Sequence, residues 1–377
     1  MGSVWVGDNE YYTYDDIDKT GAKYRIIIGE RSNGKTYGFK QKALLNFVEH
    51  GKQFAYLRRF EEEVLPKRLG AYWSDLTDWA LPILREHYPY ESFLILPKAG
   101  KWTLYGYGDN IKKKEAIGDL GYYFSLNQTI YDKSTAYPDI NLICFEEFIT
   151  DKRELTDEFT TFINFISTIK RKRTDVTVYM LANTINRNSQ ILEAMHINVR
   201  DLAQGEIKKY TYYGDDGVEN TVAIEYCRHY AQTGASESYF VFGHQQEDMI
   251  VKGTWQTKAY PQFSPDEFYS MSPQFGVILN TDSIKLYVYV TQDKKGDLKG
   301  YVSENRLSSR IDYFTFNNKT TNPQFSSFNF SSNLPGALKL QQVLYTMFVN
   351  GAIKYESNLV GCDFEHIMTD YLLKRNI

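Results

Sequence analysis

The first half of the chain alternates short apolar runs with stretches of helical period. Residues 24–28 form a β-branched run that ends at Gly29, the pattern of a buried strand. From Lys35 to about Glu49, Ala43, Leu44, Phe47 and Val48 share one helical face and Gly51 follows, which predicts a helix. Residues 53–58 predict a second strand and 74–86 a second helix; 92–96 is a third strand that turns at 98–101 into a return strand over 102–107. A strand at 140–145, a helix over 156–171 and a strand at 176–181 continue the rhythm. Strands alternating with helices predict a mainly parallel sheet with right-handed crossovers.

The second half has a different pattern. Residues 210–227 predict a hairpin around Asp215-Asp216-Gly217, and 231–248 is polar and punctuated by Gly and Ser, as a linker is. Three strands follow at 276–279, 285–290 and 298–302, separated by turns at Asp282 and Lys294-Lys295-Gly296, and helices over 334–349 and 364–373 come last. The expected division is a first α/β domain over 1–229, a linker over 230–250, and a smaller α/β domain over 251–377 with an antiparallel start. No internal repeat or low-complexity tract interrupts it.

Composition narrows the class. With 24% charged and 42% apolar residues in 377, the chain has the balance of a globular protein and not of a disordered one. No stretch reaches the roughly 18 apolar residues of a spanning helix, and residues 1–6 have neither a signal-peptide layout nor a myristoylation pattern, so a cytosolic protein without a membrane role is expected. Cys144, Cys227 and Cys362 are too few and too far apart for a disulfide framework or a Cys-rich zinc site, and the six dispersed His make no metal site. Aromatics, at 16%, are the outlier; they fit β-rich cores and Tyr-rich surfaces better than a platform for stacking bases. A net charge of −4 disfavours general coating of nucleic acid but leaves room for a local basic channel.

The strongest chemical signal is Gly29-Glu30-Arg31-Ser32-Asn33-Gly34-Lys35-Thr36, which fits the phosphate-binding pattern G-x-x-x-x-G-K-[ST]. Glycines let successive N–H groups face the phosphates, Lys35 reaches the β and γ oxygens, and the Thr36 hydroxyl is a Mg²⁺ ligand. Chance yields the pattern in roughly one chain of this length in a hundred, and here a strand precedes it and a helix follows. ATP with Mg²⁺ is therefore the expected ligand pair. Such a loop needs a strand-end acid for the metal and another to orient water. Glu146 and Glu147, ending the apolar run 142–145, supply both, with Glu146 near Mg²⁺ and Glu147 as the catalytic base. Glu at the first position departs from the commoner Asp, and its longer arm alters the metal geometry.

Lys170-Arg171-Lys172-Arg173 ends the helix after the acidic pair. A cation there reaches a neighbouring subunit's γ-phosphate as an arginine finger, or is simply a solvated basic terminus favoured by the helix dipole; spacing alone favours the second. Asn183, ending the run 178–182, stands where such folds place a polar γ-phosphate sensor, and also suits a turn. Lys98, Lys101, Lys112, Lys113, Lys114 and Lys133 are the candidate DNA phosphate contacts, although each by itself reads more readily as a solvated charge.

Residues 29–36, Tyr56-Leu57-Arg58-Arg59, Ala136-Tyr137-Pro138, Ile143 through Ile149, the Arg171/Arg173 pair and Leu181-Ala182-Asn183 together resemble, in order and spacing, the DNA encapsidation ATPases of small podovirus-type phages. The likeness is close over about residues 22–185 and weaker near Phe348-Val349-Asn350-Gly351. It implies an N-terminal P-loop ATPase domain of the ASCE/RecA-like kind. It further implies a homo-oligomeric ring, a pentamer, at the portal vertex of an empty prohead in the host cytoplasm, pumping double-stranded DNA inward at the expense of ATP. In this resemblance Arg171 matches the finger acting in trans, which reverses the preference from spacing. The C-terminal domain then looks like a degenerate RNase H-type nuclease, and the relatives dock on a capsid-bound structural RNA. The acids of a live nuclease are not evident: the strand at 276–279 is followed by Asn280, with Asp282, Glu304 and Asp363 only scattered, so a nuclease-inactive domain is expected. Other readings are a different P-loop enzyme, such as a nucleotide kinase or a terminase with an active nuclease, and a nucleotide-gated nucleic-acid-binding protein.

Overall fold

A computed structural model describes residues 11–108, 113–128, 135–150, 154–214, 217–228, 255, 258–270, 272–281, 284–311, 313–317 and 337–373. Their contacts divide the described chain into two units, one drawn from 1–191 and 199–256, the other from 192–198 and 257–377. The predicted linker, with Asp215, Asp216, Asp282, Lys112 and Lys133, lies outside the described residues apart from flanking positions.

The first unit is built on nine strands: β1 (Tyr24–Gly29), β2 (Gln53–Arg58), β3 (Ser92–Lys98), β4 (Lys101–Tyr107), β5 (Glu115–Ser125), β6 (Ile140–Glu146), β7 (Thr177–Asn183), β8 (Ile207–Tyr213) and β9 (Glu219–Tyr226). They lie in the order β3-β4-β5-β2-β6-β7-β1-β9-β8. The run from β5 to β9 is parallel, and antiparallel pairs β3–β4–β5 and β8–β9 close the two edges. Burial follows from this: β1 is buried over its last four residues and β7 over five of seven, as strands covered on both faces must be.

Helices α1 (Asp15–Lys19), α2 (Lys35–His50), α3 (Pro66–Leu69), α4 (Thr77–His87) and α5 (Glu158–Lys170) flank the sheet. α2 buries Phe39, Ala43 and Leu44, the apolar face that its spacing predicts. α4 is shorter than the predicted 74–86 because residues 74–76 form a tighter 3₁₀ turn. Aromatics fill much of this core: Trp102 stacks on Phe54 at 5.6 Å and on Tyr72 at 5.1 Å. Strand β5 was not predicted; Gly118 and Gly121 interrupt its side-chain alternation, although Leu120 and Tyr123 are buried.

In the second unit, β10 (Phe275–Asn280), β11 (Lys285–Gln292), β12 (Leu298–Ser303), β13 (Tyr313–Asn317) and β14 (Ile353–Tyr355) lie in the order β13-β10-β11-β12-β14. The β10–β11–β12 meander is antiparallel, as predicted, and β13 and β14 join its two sides in parallel. The helices Ala337–Val349 and Asn358–Leu373 supply Leu344, Met347, Val360, Phe364 and Met368 to a core with Val277, Leu286 and Val302. The last helix begins six residues before its predicted start at 364, since Ser357 Oγ receives the Val360 N–H and so caps it.

Candidate functional site

The carboxyl ends of three adjacent parallel strands, β1, β7 and β6, put the predicted site residues side by side, because the register pairs Gly29 with Asn183 and Glu146 with Leu181. This is the end at which open α/β sheets bind ligands. β1 runs straight into residues 30–34 and then α2, whose first residue is Lys35. Gly34 turns the chain into the helix at φ +95°, a region that side chains rarely adopt, and a Cβ there would stand 3.0 Å from the Cβ of Tyr11. The first N–H groups of α2 thus face a cleft of about 710 Å³, lined by Tyr11, residues 31–37, Asp75, Glu147 and Asn183.

Lys35 curls back over the loop. Its Nζ donates to Glu30 O at 2.7 Å and Asn33 Oδ1 at 3.0 Å, and lies 3.4 Å from Asn183 Oδ1. Burial outweighs the opposing charges of Cys227, Glu30 and Glu146 and lowers its pKa to about 8. A phosphate in the cleft would add negative charge beside this buried ammonium and stabilise its protonated form.

Thr36 Oγ1 donates to Glu146 Oε1, and the Tyr56 hydroxyl donates to Glu146 Oε2 at 2.5 Å. Both carboxylate oxygens are therefore fixed, so the longer arm of Glu is pinned toward Thr36. Burial, followed by the neighbouring Glu146 charge, pushes the Tyr56 phenol well above its usual range, which keeps it a donor. Two hard oxygen donors within a hydrogen bond of each other are the chemistry that Mg²⁺ takes.

Glu147 is the first residue beyond β6, at φ +54°, a conformation that costs a non-glycine residue about 1–3 kcal/mol. Its carboxylate receives Arg58 Nη2 at 2.6 Å, and the same guanidinium reaches Glu63 at 2.8 Å and approaches Glu146 at 3.5 Å. Arg59 holds the turn from behind: it donates to Phe148 O at 2.6 Å and Glu147 O at 3.3 Å, while both oxygens of the fully buried Glu158 receive it at 2.7 Å. Removing either partner of such a buried pair typically costs about 3–5 kcal/mol.

Tyr56, Arg58, Arg59, Tyr11, Tyr37 and Asp75 are the site residues that no local motif assigned a role. Arg58 ends β2 and Glu147 follows β6, two strands paired in parallel, so a strand-end cation beside a strand-end acid was the available signal.

The other candidates lie elsewhere. Arg171 caps α5 with φ +48°, is exposed, donates to Thr135 O at 3.0 Å and does not line the cleft. Arg173 spans the carbonyls of Pro138 at 2.6 Å, Tyr137 at 3.4 Å, Ile169 at 3.1 Å and Ile140. Lys98 and Lys101 face each other across the β3–β4 turn; Lys98 is exposed and Lys101 is paired with Asp119 at 2.6 Å. Lys113 is exposed, and Lys114 Nζ lies 4.8 Å from the Tyr105 ring centre. In the second unit Asn280 ends β10, Asp363 is buried and Glu304 is exposed. No helix among the described residues is long and apolar enough to cross a membrane.

The family described as Podovirus DNA encapsidation protein (Gp16) matches residues 7–81 and 111–233. A DNA packaging protein of Bacillus phage B103 is 26% identical over 168 residues, 43% of this chain and 44% of that protein. A DNA packaging protein of Bacillus phage phi29 is 25% identical over 187 residues, 49% and 48% of the two chains. The alignments thus span about half the length of these curated relatives. A solved bacteriophage Phi-29 viral genome packaging motor assembly shares the fold over 97% of this chain and 99% of that one, with a TM-score of 0.52 at 18% identity.

Proposed function

This chain belongs to the podovirus DNA encapsidation protein family, and from that premise we propose that it hydrolyses ATP and uses the energy to drive double-stranded DNA into a preformed capsid. The observation that carries the reading is the convergence of Lys35, Thr36, Glu146, Glu147 and Asn183 on the carboxyl ends of three neighbouring parallel strands, four of them lining or closing one cleft of nucleotide size.

The residues divide the work. The N–H groups at the start of α2 and the Lys35 ammonium hold the triphosphate. Thr36 and Glu146 would hold Mg²⁺, which when bound neutralises charge on the β and γ oxygens. Glu147 orients the attacking water and takes its proton, which requires its carboxylate to exchange Arg58 for that water. Asn183, within 3.4 Å of Lys35, is suited to report the γ-phosphate to β7.

A ring of copies, as the family resemblance implies, supplies the missing cation. Arg173 is committed to four backbone carbonyls, whereas Arg171 sits exposed at the helix end and outside its own chain's cleft. Arg171 is therefore assigned as the finger that enters a neighbour's site. A pentameric ring on a prohead, docking on a structural RNA and a second unit that binds nucleic acid without cutting it complete the proposal. Asn280 at the strand end where a nuclease would present an acid supports the last point. The test is ATP hydrolysis with and without DNA-free proheads: strong stimulation by proheads supports the reading, and hydrolysis indifferent to proheads and DNA overturns it.

A further inference from the structure

We propose that Tyr11, carried on a strap across the phosphate loop, is the residue on which the nucleobase of the substrate stacks, with Tyr37 beside it in the same cleft. The inference rests on the ATP-site reading above and adds to it the part of the substrate that lies beyond the phosphates.

The strap is fastened just after Tyr11, at Tyr12 and Tyr14. Tyr12 N–H donates to Asn33 O at 2.7 Å, the Tyr12 hydroxyl donates to Glu225 Oε2 at 2.8 Å, and the Tyr14 hydroxyl donates to Lys35 O at 2.7 Å. Tyr12 and Tyr14 are buried, only 3% and 6% exposed, and their rings meet edge to face at 5.0 Å. Tyr11, one residue away, is 48% exposed and lines the cleft. A large ring left half in water directly before two buried ones, on backbone bonded to the phosphate loop, is organised for something other than the core.

The direction of the cleft says what. Lys35, Glu147 and Asn183 mark the end where the γ-phosphate belongs. Tyr37 directly follows Thr36 in the first turn of α2, so its N–H is the next phosphate donor, and its side chain lines the cleft beyond it. Tyr11 and Tyr37 line the same cleft, and each presents an aromatic ring. Every nucleobase offers a π face, and stacking on an aromatic side chain contributes roughly 1–3 kcal/mol per base. The strap has already been ordered by folding, so little entropy is lost when the base arrives.

The experiment is calorimetric binding of Mg-ATP analogue and of Mg-tripolyphosphate, which carries the phosphates without the base, to the full chain. Tyr11→Ala is expected to weaken the ATP analogue by about tenfold and to leave tripolyphosphate affinity unchanged, while Tyr11→Phe, which keeps the ring, binds both as wild type does. Wild-type ATP affinity in Tyr11→Ala overturns the proposal, as does an equal loss of both ligands, which would make the strap a brace for the loop. Wild type that binds neither ligand would instead overturn the phosphate-site reading, and this inference with it.

Discussion

Arg58 Nη2 lies 2.6 Å from Glu147 Oε2, so the acid proposed to activate water is held by a cation on the neighbouring strand. The contact joins the ends of β2 and β6, 89 residues apart in sequence. Under the proposed function the carboxylate must leave Arg58 to reach the attacking water, and the balance between those two positions would set the resting rate. A charge-assisted bond of this kind contributes roughly 1.5–3 kcal/mol, enough to shift that balance by tenfold or more.

Arg58→Ala is therefore expected to raise hydrolysis in the absence of proheads and to reduce the stimulation by proheads about tenfold. Steady-state phosphate release with and without proheads measures both. A resting rate at or below wild type, with stimulation intact, would show that the pair does not restrain Glu147.

Lys35 gives a prediction in pH. Burial lowers its folded pKa to about 8 from the ordinary lysine value of 10.5, so between those values the unfolded chain binds more protons. Its contribution to stability is full above the unfolded value and is lost as pH falls through the folded one. At pH 7, Lys35→Met should then melt above wild type in the absence of nucleotide, by at most about 3 kcal/mol, less what the acceptors at Glu30 and Asn33 lose. The gap should close as pH rises toward 10.5. A difference independent of pH would refute the buried-charge account.

How far the site could be foreseen depended on distance along the chain. Residues 29–36 are contiguous, and their chemistry is legible because the loop's function requires it to be local. Glu146 and Glu147 were legible as acids ending an apolar run. Tyr56 and Arg58 were not assigned, since their roles arise only when β2 pairs with β6 and brings Leu57 opposite Phe145. Tyr11 was hidden for the same reason: its contact with Gly34 depends on how the lead-in crosses the loop. The meander of the second unit was readable from its turns, whereas β5, broken by glycines, was recognisable only through its partners β2 and β4. Lysine runs were the least informative, because charge does not say which lysine has an Asp119 or a Tyr105 beside it.

The shared site can be tested by mixing. Arg171→Ala should cost on the order of 10³ in assembled turnover while leaving nucleotide affinity of the single chain unchanged. Combining it with Glu147→Gln chains should recover part of the activity, since an intact finger then meets an intact base at some interfaces. Failure to recover at every mixing ratio would rule out Arg171 as a residue acting across subunits.

The most direct measurement of the central claim is nuclease protection of DNA by proheads in the presence of ATP, with wild type, Lys35→Ala and Glu147→Gln compared alongside nucleotide binding. Wild type should protect DNA in step with the ATP it consumes. Lys35→Ala should lose binding and protection together, and Glu147→Gln should bind ATP as wild type does yet protect none. Protection by Glu147→Gln at the wild-type level would contradict the assignment of this cleft as the site whose hydrolysis moves the DNA.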